Sequence, residues 1–269
     1  MMIPRSIVLR PVGLPVNWKA LPRASVGLTL AAYFVGLVAA ELLVNLWWLR
    51  AAIVLDAMLM TALLVHGSDG PLAERRFLVA LALAPLIRLI SLALPLGSVS
   101  AVSAWALTGA TLYAAVLVAI RVLELTPGEL ALRIGQPRLQ LFIALLGFPI
   151  GTLSYQVLSP LPVLPDLSWQ VALVPVLIML AFGGFLEELI FRGILQSTAW
   201  DVLGWRGVVC VAVVAAVLSL GFLSVLYTAL VFVVSLFFGW LVVRTGSLLG
   251  VSLAHGIASV MLFVVLPLL

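Results

Sequence analysis

Two adjacent carboxylates, Glu187 and Glu188, lie inside a long apolar run, and Arg192 follows Glu188 by one helical turn. On a helix that spacing puts Glu188 and Arg192 on one face. The acid is N-terminal to the base, the better order for an ion pair. Glu187 points about 100° away and has no helical partner. A charge near the bilayer centre costs about 2.5–3.5 kcal/mol on insertion scales, so two neighbouring acids there need a reason. One reading ends the helix at the headgroups and leaves all three charges wet. The sharper reading makes them a buried polar site. His255 also falls inside an apolar run, whereas His66 falls at the end of one. Counted from the nearest turns, Glu187 lies about 18 Å and His255 about 12 Å from the same face. A buried carboxylate can act as general base on a water, and an imidazole can position that water or stabilise an oxyanion. The plainer alternative gives His255 only a hydrogen bond to a neighbouring helix. Metal ligation by Glu187, Glu188 and His255 has weak support, because His-Glu-x-x-His spacing is missing and no further His or Cys is near. No metal and no cofactor is expected. Ser219, Ser224 and Ser259 lack the strand-turn-helix setting of an activated serine.

The elements that must hold these groups are membrane helices. The 269 residues are 65% hydrophobic and 9% charged, with mean hydropathy +1.32. Such composition excludes a soluble domain and predicts an all-α, polytopic transmembrane helix bundle. The net charge of +4 comes from 13 Arg and one Lys. In a membrane chain this excess sets orientation and does not indicate nucleic-acid binding. Cys210 is the lone cysteine, which excludes a disulfide framework. The preference for Arg, Ala, Leu and Val suggests a GC-rich prokaryotic genome, and hence a prokaryotic cytoplasmic membrane.

Residues 1–25 carry Arg5, Arg10, Lys19 and Arg23 among four prolines. They read as a basic cytoplasmic arm, too long for the basic region of a signal peptide. Eight or nine spans are expected: 26–49, 51–66, 77–95, 101–123, 139–158, 169–198, two from 208–243, and 248–267. Residues 26–158 form an N-terminal set and 159–269 the core that holds the acids. Thr126-Pro127-Gly128-Glu129 reads as a capping box that starts a short interfacial helix over 127–134. Basic residues at 75–76, 121–138, 206 and 244 share one side, which the positive-inside rule makes cytoplasmic, together with the N-terminus. Arg50 is the exception. Asp56 and Arg88 fall at depths that allow a pair. Glu41 and Asn45 are expected to face water or another subunit.

Glu187-Glu188-Leu189-Ile190-Phe191-Arg192-Gly193 resembles the EExxxR motif of the CPBP family, the CAAX-processing proteases and bacteriocin-processing or self-immunity proteins. Arg244-Thr245-Gly246-Ser247-Leu248 followed by Ala254-His255-Gly256 is similar to that family's approach to its last histidine. The resemblance covers about 170–262. It implies an all-helical membrane bundle and endopeptidase cleavage near the cytoplasmic face without an essential metal. It makes Glu187 the water-activating base, Glu188 and Arg192 its supporting pair, and His255 one of two histidines around the water and oxyanion. Two positions depart from the pattern. Leu226 stands where FxxxH has its histidine, and Ser259 where Asn or Asp follows the last histidine. Leu226 cannot donate, accept or hold a water; Ser224 or Tyr227 could substitute in another frame. The sequence therefore favours a weakly active or non-catalytic member, a membrane-complex subunit or assembly factor. The alternative is an active intramembrane peptidase using Glu187 and His255. Expected partners are the lipid bilayer, other membrane proteins or a peptide substrate.

Overall fold

The computed structural model describes residues 24–94 and 99–269. The basic arm, apart from its last two residues, and the Pro95–Gly97 stop lie outside the described residues. Among the described residues there are nine helices long and apolar enough to cross a membrane. They are α1 (Ala24–Asn45), α2 (Leu49–His66), α3 (Leu72–Ala93), α4 (Ala101–Val122), α5 (Pro137–Leu158), α6 (Trp169–Leu203), α7 (Trp205–Phe222), α8 (Val225–Thr245) and α9 (Leu249–Leu268). The bundle is all-α, as the apolar runs require: inside a bilayer each backbone group must be paired within its own segment.

Helix α6 organises the core. Its 35 residues would run about 52 Å if straight, well beyond the ~30 Å hydrocarbon layer. Pro175 sits within it and removes one backbone donor. Beyond that point the helix widens into π-type turns over Met179–Leu186 and Leu189–Leu195, flanking the two glutamates. Such turns re-aim side chains and recur at functional sites.

Helix α9 is pressed between α6 and α5 along a seam of small residues. A methyl group at Gly184 would meet Ser252 O at 2.6 Å and Gly256 Cα at 2.8 Å, both backbone atoms. Close backbone approach of this kind replaces the hydrophobic driving force that lipid does not supply. Gly184→Ala is expected to destabilise the bundle by about 1–3 kcal/mol, the usual cost of overpacking. Equilibrium unfolding in mixed micelles measures this; an unchanged midpoint would show that the seam can spread at little cost.

The first helices are tied by buried polar groups, and here two expectations are corrected. Arg88 of α3 pairs with Glu41 of α1, not with Asp56: Nε and Nη2 donate to the two carboxylate oxygens at 2.7 and 2.5 Å. Depth alone could not distinguish the two acids, because it does not say which helices are neighbours. Glu41 is buried rather than facing water or another subunit. Asn45 donates to Leu220 O at 3.1 Å, at the end of α7, so it also faces protein. Asp56 is buried on α2.

The loop after α4 is also corrected. Thr126 and Glu129 form the reciprocal hydrogen bonds of a capping box: Thr126 N and Oγ1 each donate to Glu129 Oε2 at 2.7 Å, and Glu129 N donates to Thr126 Oγ1 at 3.3 Å. No helix follows; 127–131 is a turn. Ala131 takes a left-handed φ of 51°, which ends helical propagation, and its carbonyl accepts from Leu248 N at 3.0 Å. Docking onto the start of α9 outweighs local helix propensity. Burial pushes the Glu129 carboxyl up, but the Thr126 donors and Arg76, 3.0 Å away, hold it below the ordinary carboxylate range. A depressed folded-state value stabilises the loop above the unfolded value, near pH 4.3, and the stabilisation is lost as pH falls through the folded value. Amide exchange at Leu130 and Leu132 is expected to accelerate beyond its intrinsic pH dependence below about pH 4, and Glu129→Gln is expected to remove that excess.

Candidate active site

The four residues picked out from the sequence converge. Glu188, fully buried, accepts from Arg192 Nη1 at 2.9 Å along one turn of α6. The same oxygen, Oε1, lies 2.7 Å from His255 Nδ1 on α9. An acceptor shared with a guanidinium is a carboxylate, so the imidazole donates Nδ1–H to it. That bond fixes the ring and leaves Nε2 pointing at Glu187 Oε2, 3.6 Å away. Glu187 thus faces His255 Nε2 across the α6–α9 seam.

The two acids have opposite environments. The Glu187 side chain is 48% exposed and that of Glu188 0%. Arg192 reaches over to α8, where Nη2 donates to Ser235 O at 3.2 Å, and its guanidinium lies 5.8 Å from the Phe238 ring centroid. Glu188 Oε2 and Arg192 Nε have no hydrogen-bond partner among the described residues.

Glu187 and His255 line a cavity of 560 Å³. Its walls are mostly apolar and come from α3 to α9, with Trp105, Thr108, Phe182 and Phe263 among them. The two positions that break the motif behave differently. Leu226 is 66% exposed and is not among the lining residues, whereas its neighbour Tyr227 is. Ser259 lines the cavity one turn after His255. Its Oγ is 3.3 Å from where a Gly183 methyl would be, one turn before Glu187. The wall contributed by α4 carried no sequence signal, because its polar residues are single and its neighbours apolar. Among the described residues no group of three or more His, Cys, Asp or Glu is placed to hold a metal ion.

The fold and this cluster define an integral membrane protein with a glutamate–histidine site within its helices. Residues 169–261 match the family described as Type II CAAX prenyl endopeptidase Rce1-like. The match includes α6, α7, α8 and α9 as far as His255 and Ser259. No curated protein and no solved structure matches the chain.

Proposed function

We propose that this protein is an intramembrane endopeptidase that needs no metal, with Glu187 as general base. The observation that carries the reading is the split between the acids: Glu188 is sealed and holds both Arg192 and the His255 ring, while Glu187 is half open to a cavity large enough for a peptide segment. A water beside Glu187 gives up a proton to the carboxylate as its oxygen attacks the peptide carbonyl. His255 Nε2, a lone-pair acceptor when Nδ1–H is donated, holds the second hydrogen of that water. The Tyr227 and Ser259 hydroxyls, which line the cavity from α8 and α9, supply donors for the oxyanion. Glu187 then passes its proton to the leaving amine as the C–N bond breaks, which leaves a carboxylate and an amine as products.

A non-catalytic role as a subunit or assembly factor is the second reading. The exposure of Leu226 favours it, since the second family histidine has no counterpart at that position. The purified protein in lipid nanodiscs, offered a library of internally quenched peptides, tests the split. Turnover that persists with a chelator and is lost in His255→Ala supports the peptidase. No cleavage of any peptide by the folded protein supports the subunit. The setting proposed is a prokaryotic cytoplasmic membrane with the basic loops inside, the bilayer as solvent, and a polypeptide as substrate.

A further inference from the structure

The cavity occupies one half of the bundle, and that half is not the one near the basic loops. Arg75, Arg76, Arg121, Arg133, Arg138, Arg206 and Arg244 lie at or between the helix ends at one face; among the described residues Arg50 stands at the other, and Arg88, paired with Glu41, lies within α3 toward it. In α3 the lining residues are Ile87 to Ser91, close to the end at Ala93. In α4 they run from Ala104 to Leu112, starting near the opening residue Ala101. Ser154 lies near the end of α5, Phe222 at the end of α7 and Tyr227 near the start of α8. All of these ends belong to the face away from the basic residues. Phe222, at the rim, is exposed.

Toward the basic face the cavity is closed off between α6 and α9. Past Arg192 on α6, Ile194, Leu195 and Ala199 are fully buried, and Leu248 and Val251 at the start of α9 are nearly so. Ser247 Oγ and Leu248 N bond the carbonyls of Arg133 and Ala131, which pins the loop under α9. Glu188 and Arg192 are therefore the floor of the cavity, with Glu187 and His255 just above it.

We infer that the site receives its polypeptide from the side opposite the basic loops, which the positive-inside rule makes the extracytoplasmic leaflet and its aqueous face. The substrate class is then a segment of an exported or membrane-inserted protein on that side, in contrast to the cytoplasmic-face cleavage that the family resemblance implies. This rests on the peptidase reading for the word substrate; the direction of access rests on the cavity together with the positive-inside orientation.

Cysteine accessibility tests it without requiring activity. On a Cys210→Ala background, Ser259→Cys and Thr108→Cys place thiols in the cavity. Ser68→Cys reports the basic face, and Leu161→Cys the opposite one, where Leu161 is exposed. A small membrane-impermeant methanethiosulfonate is applied to intact cells and to inverted vesicles. The expected result is that both cavity thiols label in intact cells together with Leu161→Cys, and that labelling is lost in inverted vesicles, where Ser68→Cys labels instead. Thr108→Cys keeps the test open if Ser259→Cys fails to fold. Cavity thiols that label with Ser68→Cys, or that label with neither reporter, would overturn the inference. Correct labelling without peptide turnover would leave the access route standing and remove only the peptidase.

Discussion

Glu187→Gln is expected to lower peptide turnover by about 10²–10⁴-fold, the usual contribution of a positioned general base. The amide keeps the size of the carboxylate and can still sit beside His255 Nε2, but it cannot take a proton from water. Because Glu187 is half exposed and faces α9 only through His255 Nε2 at 3.6 Å, a position the amide can keep, abundance and unfolding midpoint are expected to stay at wild-type values. The loss is expected in kcat with KM little changed, since the proton transfer matters in the transition state and not in binding. Equal turnover by the variant would assign the chemistry elsewhere. A matching loss of folded protein would make Glu187 structural.

Arg192→Leu is expected to have the largest effect on stability, about 3–5 kcal/mol, the cost of stranding one partner of a buried ion pair. Glu188 has no exposed surface in the native packing, so its carboxylate depends on buried partners. His255 keeps its bond to Oε1 and offsets only part of the lost charge. Glu188→Leu combined with Arg192→Leu is expected to recover most of the stability, because an apolar pair of similar volume removes both desolvation penalties. The double variant is expected to be inactive even when it folds, since nothing then holds the His255 ring. Equilibrium unfolding of the two variants side by side measures the coupling. A double variant as unstable as the single one would show that the pair is a net contributor to folding and not only to the site.

The membrane helices were legible because bilayer thickness sets a length that long apolar runs either meet or miss. The Glu188–Arg192 pair was legible because it depends only on helical spacing. His255 was legible from depth, since few ionisable residues lie that far inside and those that do must be paired or used. The first-helix cluster was not: Glu41, Asp56 and Arg88 all have compatible depths, and lateral packing alone chose Glu41. Tertiary docking also overrode the expected helix after Thr126. The capping box formed as its residues require, but Ala131 turned left-handed and gave its carbonyl to Leu248. The sidedness of the cavity was invisible for a further reason. A cavity is defined by what the walls leave empty between them, and no single stretch of sequence carries that. Leu226 shows the limit of motif reading. Its position predicts a missing imidazole, and only the packing shows that this side chain leaves the cavity while Tyr227 enters it.

The central claim is that Glu187 activates a water for peptide hydrolysis. Single-turnover cleavage in H₂¹⁸O, followed by mass spectrometry of the products, tests it most directly. The wild-type protein is predicted to place one ¹⁸O in the new C-terminal carboxylate at a rate that Glu187→Gln lowers by about 10²–10⁴. Cleavage that proceeds as fast in Glu187→Gln, or no ¹⁸O-labelled product from folded wild-type protein, would contradict it.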